Sequence, residues 1–338
     1  MNGKYSRQEL FAPIGEEGQR KIRNAKVFVM GAGALGSSSA EMLVRAGVGE
    51  LTIVDRDIIE WTNLHRQQLY AEQDVVDQLP KAVAAKKRLT AINGDVRVTG
   101  IVADVTPENV EELITGHDLV IDGTDNIEIR LLMNDAAMKK GIPFFMGACV
   151  GSYGLSFPIG LEDSQPCLHC LLDTLPSQMM TCDTVGVISP IVVTTAARQV
   201  ADVLKYLSGA TSAPKLESAD LWSGERSTID VQALKKTDCP SCSDVRTYPF
   251  LDKRSTIRTA VLCGRDTVQL TYPASRQFEL QAITESIEGA VTNLKRNPHL
   301  AVCQFSGHRI VLFRDGRILI HGTKDISAAK RIMASLLG

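Results

Sequence analysis

Apolar positions in this chain fall into short runs separated by glycines and by stretches of helical period. Residues 27–30 are continuously apolar and lead into Gly31-Ala32-Gly33-Ala34-Leu35-Gly36. Beyond that loop Leu43, Val44 and Ala46 follow a helical period up to Gly47, so the pattern predicts strand, glycine turn and helix in succession. Residues 51–55 predict a second short strand. A helix is predicted from Pro80, at its first position, to just before Asn93-Gly94, with Val83, Ala84, Leu89 and Ile92 as its apolar stripe. Strand-like runs follow at 96–102, 119–122 and 143–150, with a helical stretch at 128–140 between the last two. Nearly continuous apolar strands alternating with helices imply an α/β, Rossmann-like fold. Its sheet would be mostly parallel, covered by helices on both faces, with pocket chemistry at the strand carboxyl ends.

The pattern loosens over 152–242, where a long loop rich in Ser, Thr, Met and Pro precedes a helix predicted at 190–207. A linker is placed at 243–255. After it, 256–273 and 308–321 predict strand pairs, and Asp315-Gly316 signals a hairpin whose two central residues both tolerate positive φ. Helical stretches at 280–294 and 326–337 complete a small C-terminal α+β unit. The expected division is therefore a domain over 1–245 and a second over 255–338, with no internal repeat.

Composition narrows the picture. A chain of 338 residues with 44% apolar content can bury one large core and a smaller one. The formal net charge of −2, with charges of both signs nearly balanced, argues against nucleic acid or an anionic membrane as the main partner. The N-terminal residues show no apolar signal core and no run approaches bilayer length, so the expected location is cytoplasmic. Eight cysteines are too few for a disulfide framework.

In the glycine loop, Gly31, Gly33 and Gly36 let the backbone approach a phosphate or ribose, and the following helix offers free N–H groups. Asp55 closes the second strand about 20 residues on, where its carboxylate can take a ribose diol. Together they imply an adenine nucleotide without saying which, and a nicotinamide-dependent oxidoreductase is the rival reading. Against that rival stand residues suited to a triphosphate. Arg66, within Asn63-Leu64-His65-Arg66-Gln67, could bind phosphate oxygens bidentately, though an arginine alone is more often a solvated surface residue. Lys81 opposes the dipole of its own helix unless an anion binds there; it could equally extend into water. Asp125 in Gly123-Thr124-Asp125-Asn126 follows a strand end and suits magnesium, although acids at that position also serve as helix caps.

Four cysteines form two C-x-x-C pairs, Cys167-Leu168-His169-Cys170 and Cys239-Pro240-Ser241-Cys242. Two such pairs favour one closed, structural four-thiolate zinc site, with His169 a bystander, although the gap between them exceeds that of a zinc ribbon. Cys149, Cys263 and Cys303 are expected to be small buried apolar residues.

Taken together, Tyr5-Ser6-Arg7-Gln8, the glycine loop, the 63–67 segment, Pro80-Lys81, Thr124-Asp125-Asn126 and the two C-x-x-C pairs resemble the ThiF/MoeB family, relatives of ubiquitin-activating enzymes. The resemblance covers about residues 4–245, and the combination is far more specific than any single motif. One departure is Ala34, where many relatives carry another glycine and where a methyl group would narrow the loop. The resemblance implies a homodimer in which ATP lies along Gly33, Asp55, Asn63, Arg66, Gln67 and Lys81, with Asp125 near magnesium, Asn126 a further nucleotide-binding residue and Arg7 reaching the neighbouring subunit's phosphates. The implied reaction adenylylates the Gly-Gly carboxylate of a ubiquitin-like sulfur-carrier protein and releases pyrophosphate. Cys182 matches a cysteine that in some relatives links covalently to the carrier. Some relatives append a rhodanese domain, but this chain has no persulfide loop of that kind, so sulfur is expected from a separate donor. A third class, a zinc-stapled scaffold that binds a carrier without turnover, would predict a damaged triphosphate site. Arg66, Lys81 and Asp125 are all present.

Overall fold

The computed structural model describes residues 3–172, 185–210, 213–252, 259–262, 266–271 and 279–337. The chain divides into two compact units, Met1–Lys253 and Arg254–Gly338. The first opens with α1 (Ser6–Glu9) and α2 (Gly15–Asn24) and then alternates through β1 (Lys26–Met30), α3 (Ala34–Ala46), β2 (Glu50–Asp55), α4 (Glu72–Val76), α5 (Lys81–Ile92), β3 (Arg97–Val102), α6 (Val110–Ile114), β4 (Leu119–Asp122), α7 (Ile127–Lys140) and β5 (Phe144–Val150). It continues with β6 (Tyr153–Ile159), α8 (Leu168–Leu171), α9 (Ser189–Ser208), β7 (Leu216–Asp220) and β8 (Arg226–Ile229).

These strands form one sheet in the order β3-β2-β1-β4-β5-β6-β7-β8. Strands β1 to β5 pair in parallel, whereas β6, β7 and β8 add on antiparallel. The order reverses between β1 and β4, so the carboxyl ends of those two strands open a crevice. Strand β1 shows why its sequence is continuously apolar. Val27 and Val29 pack with Leu43, Leu89 and Val203 on one face, while Phe28 and Met30 pack with Ile114, Val120 and Leu132 on the other. Both faces of the sheet are covered by helices, as the α/β reading expects.

Pro80 stands one place outside α5 as its N-cap, which makes Lys81 the first helical residue. The strands β6, β7 and β8 lie where the sequence pattern was loose, and their chemistry explains why. Strand β8 is exposed at all four positions and β7 reads Leu-Glu-Ser-Ala-Asp, so neither carries an apolar rhythm. Pro158 in β6 is tolerated because β7 pairs only with Tyr153 to Ser156, which leaves no partner on that side for the missing N–H. A signal was present in Gly151-Ser152, the two-residue β5–β6 turn with Gly151 at φ 60°.

The second unit is a six-stranded antiparallel sheet, β9 (Thr259–Leu262), β10 (Thr267–Thr271), β11 (Thr292–Arg296), β12 (Leu300–Phe305), β13 (His308–Phe313) and β14 (Arg317–His321), in the order β11-β12-β13-β14-β10-β9. Its core sets Leu270, Ile310, Leu312 and Ile320 against Leu280 and Ile287 of α10 (Leu280–Ile287) and Met333 of α11 (Ile326–Leu337). The helix expected over 280–294 stops at Ile287; Glu288-Gly289 breaks it, and Leu294 lies in β11. The Asp315-Gly316 turn is real but of another kind. Only Gly316, at φ 90°, takes positive φ there, while Asp315 accepts the Arg317 N–H through its side chain. Positive φ at both central residues occurs instead at Ser306-Gly307, 49° and 78°, between β12 and β13. Cys182 and Cys263 lie outside the described residues. No helix among the described residues is long and apolar enough to cross a membrane.

Candidate active site

The crevice is built first by glycines. Gly31 takes φ 87° and its N–H donates to Val54 O at 2.8 Å, which turns the chain sharply out of β1. A Cβ on Gly36 would lie 1.9 Å from Gly31 O, and one on Gly123 would lie 2.6 Å from Gly36 Cα. The loops after β1 and β4 and the first turn of α3 therefore meet at a separation that side chains do not permit. Gly33 is the N-cap of α3 and brings no capping side chain, so the helix end faces the crevice with its own N–H groups.

Asp55 ends β2 beside this loop. Its Oδ2 accepts the Ala32 N–H and its Oδ1 the Asp57 N–H, each at 2.7 Å. Burial raises its pKa above the ordinary carboxylate value, with Lys81 opposing that shift and Asp57 adding to it. Lys81 does not extend into water. Its side chain is only 5% exposed, and its Nζ stands 3.2 Å from Asp57 Oδ2. Asn63 and Gln67 are buried as well, at 1% and 3% exposure. Asn63 Oδ1 accepts the Glu60 N–H, but Asn63 Nδ2 and Gln67 Oε1 have no hydrogen-bond partner in the protein. Gln67 Nε2 lies 4.0 Å from a Cβ placed on Gly33, so one of these amides sits at the glycine loop. Unsatisfied buried amides of this kind indicate groups shaped for something other than the protein. Arg66 is half-buried and donates from Nη1 to Thr62 O at 2.6 Å.

At the end of β4 a buried ion pair supports the second loop. Arg130 Nε donates to Asp122 Oδ2, and its Nη2 donates to Thr124 O and Gly147 O at 2.8 and 3.0 Å. Asp122 Oδ1 in turn accepts both the N–H and the hydroxyl of Thr124. Gln199 of α9 closes the arrangement, donating to Asp122 O and Phe145 O. The residue before Asp125 is thereby held at N–H, hydroxyl and carbonyl, while Asp125 itself is exposed. The helix cap is Asn126, whose Oδ1 accepts the N–H groups of Glu128 and Ile129.

Arg7 is exposed on α1 between two anchors. Tyr5 is buried against Gly47, and its hydroxyl accepts from Asn93 Nδ2 at 2.7 Å, while Gln8 donates to Gln19 and Ala46 O. Gly47 and Asn93 are the C-caps of α3 and α5, whereas the glycine loop and Lys81 stand at the N-termini of the same helices. At 1.5 Å per residue that is a separation of about 18 Å, so Arg7 does not join the other candidates within one chain.

Away from the crevice, the four thiols of Cys167, Cys170, Cys239 and Cys242 are buried and lie within 4.8 Å of one another, an arrangement that could hold a metal ion. Cys167 and Cys239 are 3.6 Å apart, Cys170 and Cys242 3.4 Å. Four sulfurs at about 2.3 Å from a central zinc would stand about 3.8 Å apart. The hydrogen bond from Cys167 lowers Cys170 from the ordinary thiol range, while Cys167 itself is pushed up by its contacts with Cys170 and Cys242. Asn134 and Asp135 of α7 brace the two turns: Asn134 Oδ1 accepts the Leu168 N–H, and Asp135 accepts from Ser241 Oγ and Phe250 N. His169 contacts Ser241 Oγ at 3.1 Å rather than joining the thiols.

The ThiF family model matches residues 5–241. The chain belongs to the ThiF family. The sulfur carrier protein ThiS adenylyltransferase of Bacillus subtilis is 53% identical over 338 residues, 100% of both chains. The ThiS adenylyltransferase of Escherichia coli is 32% identical over 73% of this chain and 97% of its own length. The molybdopterin-synthase adenylyltransferase of the same organism is 31% identical over 61% and 82%. Among solved structures, E. coli MccB with ATP aligns with a TM-score of 0.63 at 21% identity, covering 72% of this chain and 74% of that one, a likeness of fold. This ThiF-family chain is thus an enzyme, and its named relatives are adenylyltransferases.

Several residues of the crevice were not singled out from the sequence. Asp57 and Tyr70 act through contacts between segments distant in the chain, whereas Asp122 and Arg130 pair across eight residues once the loop between them is folded. Only Asp55-Arg56-Asp57, two acids two places apart at a strand end, carried a local hint.

Proposed function

We propose that this enzyme uses ATP to adenylylate the C-terminal carboxylate of a small ubiquitin-like sulfur-carrier protein ending in Gly-Gly. The observation that carries the reading is the convergence of the glycine loop, Asp55 and Lys81 with two buried amides, each of which has one atom, Asn63 Nδ2 and Gln67 Oε1, without a partner in the protein. In this reading Gly31, Gly33 and Gly36 admit the nucleotide, Asp55 takes the ribose, and Asn63 and Gln67 use their spare valences on it. Arg66 and Lys81 face the phosphates.

A carrier carboxylate oxygen attacks the α-phosphorus, and the bond to the β-phosphate breaks with its electron pair leaving on pyrophosphate. The product is a mixed anhydride of carrier and AMP, whose carbonyl is open to sulfur. A carboxylate needs no general base, so the protein's work is alignment and charge neutralisation. Asp125, exposed and released from capping duty, would hold magnesium, which when bound offsets phosphate charge. In the nucleotide reading, the burial of Lys81 beside Asp57 holds its charge at the crevice where the phosphates bind.

Arg7 stands at the wrong end of α3 to reach its own chain's crevice, which supports a homodimer in which it serves the neighbouring subunit. The four thiols fit a closed structural zinc site. Cys182 remains the candidate for a covalent link to the carrier, and sulfur would come from a separate donor. A relative that matches the whole chain, C-terminal unit included, is named for ThiS. We therefore favour a thiazole-pathway carrier over the molybdopterin-synthase subunit, and a cytoplasmic location.

Carrier-dependent ATP–pyrophosphate exchange tests the reading. Exchange is expected with a ThiS-type carrier, weaker with a MoaD-type carrier, and absent when the terminal glycine is removed. Preferential stabilisation by NAD over ATP with magnesium in a thermal-shift comparison would overturn it.

A further inference from the structure

We propose that Tyr70 is a positioning residue of the nucleotide site, its buried hydroxyl tying the glycine loop to the helix that carries Lys81. The inference rests on the nucleotide reading above. Tyr70 follows the 63–67 segment, and its ring is buried in the core that also contains Ala32, Leu69 and Ala84. Its hydroxyl lies 2.6 Å from Ala32 O and 3.3 Å from Lys81 O. A hydroxyl has one proton, so the short contact to Ala32 O is the hydrogen bond and Lys81 O shares it weakly.

Ala32 is the residue between Gly31 and Gly33, whose own backbones are little restricted by sterics. Its N–H donates to Asp55 Oδ2 at 2.7 Å. Both polar backbone groups of the central loop residue are therefore fixed by side chains, the N–H by the candidate ribose acid and the carbonyl by Tyr70. Loss of the Tyr70 proton donor would leave the Ala32 carbonyl buried without it and free the peptide that follows, which carries the Gly33 N–H toward the crevice. Because the same hydroxyl faces the first residue of α5, loop and lysine are set relative to each other by one atom.

The plainer account is a core aromatic whose hydroxyl merely needs an acceptor. The two accounts differ in what they move. A structural hydroxyl changes stability and the fraction of competent molecules, whereas a positioning hydroxyl changes the affinity of each competent site.

The test is Tyr70→Phe in the full chain, with the fold checked by circular dichroism and ATP·magnesium binding measured by calorimetry. The dissociation constant for ATP is expected to rise roughly three- to tenfold, the worth of one neutral hydrogen bond. The KM for ATP in pyrophosphate exchange should rise in parallel, with kcat within about twofold of wild type, the signature of binding lost equally in ground and transition states. Wild-type dissociation constant and KM in the variant overturn the inference and leave the nucleotide reading intact. So does failure of the variant to fold, since such a hydroxyl is structural. If the wild-type enzyme itself does not bind ATP, both fall together.

Discussion

Lys81 Nζ lies 3.2 Å from Asp57 Oδ2, while the Lys81 backbone N–H donates to Asp57 O at 2.9 Å, so one acid holds both ends of the first residue of α5. The pair places a buried cation at a helix N-terminus, where the dipole alone disfavours it. Lys81→Ala is expected to lower carrier-dependent exchange by at least about 100-fold. It should also destabilise the fold by about 3 kcal/mol, because Asp57 and Asp55 lose their shared counter-charge. Lys81→Ala/Asp57→Ala should recover most of that stability and none of the activity. Thermal unfolding and exchange assays on the same preparations separate the two effects.

Asp125 and Asn126 are adjacent but have different duties. Asp125→Ala should leave stability within about 0.5 kcal/mol of wild type, since the side chain is exposed, while exchange falls by about 100-fold or more. Asn126→Ala removes acceptance from two α7 N–H groups and should cost about 1 kcal/mol of stability. An Asp125→Ala enzyme with normal exchange would remove that residue from the mechanism.

Burial raises the pKa of Asp55 above its unfolded value, so the fold favours the protonated acid. Its favourable contribution is complete below the unfolded carboxylate pKa and is lost as pH rises through the folded one. Asp55→Asn removes that titration. The melting temperature of Asp55→Asn minus that of wild type is therefore expected to grow with pH across the carboxylate range and then level off. A difference flat in pH, followed by thermal unfolding in parallel buffers, would show that Asp55 pays no ionisation penalty in the folded protein. ATP affinity should fall in the same variant.

Protein purified without chelator should carry about one zinc per chain. Cys170→Ser is expected to lower zinc content below half and to reduce thermal stability, because a buried four-thiolate site contributes to folding directly. Metal analysis and melting curves on one preparation check both, and a metal-free protein of unchanged stability would mark the cluster as a set of packed thiols.

The legible features were those written in consecutive residues. The apolar run before Gly31, the Gly47 stop of α3 and the paired cysteines each signal through local spacing, and each appears where the pattern put it. Strands β7 and β8 gave no such signal because β8 is an exposed edge and β7, paired on both sides but half-buried, carries polar residues, so pairing rather than burial holds them. The hairpin signal at Asp315-Gly316 located a turn but not its geometry. Backbone twist between two strands selects the turn type, and the both-positive form went to Ser306-Gly307 instead.

The sequence alone determined the strand–glycine–helix unit, the acid at the end of β2, the two thiol pairs and the family resemblance, since each rests on residues close in the chain whose conformations are set by local sterics and burial. The tertiary structure decided which groups meet: that Lys81 turns inward to Asp57, that Asp122 and Arg130 hold the Asp125 loop, that Asn126 rather than Asp125 caps α7, and that Arg7 lies at the far end of its helices. The Asp122–Arg130 pair and the Asn126 cap are near in sequence and were decided by which side chain the folded loop turns inward. The Lys81–Asp57 pair, by contrast, spans 24 residues, and the reversal in strand order brings two glycine loops more than 80 residues apart into contact, separations that no local pattern encodes.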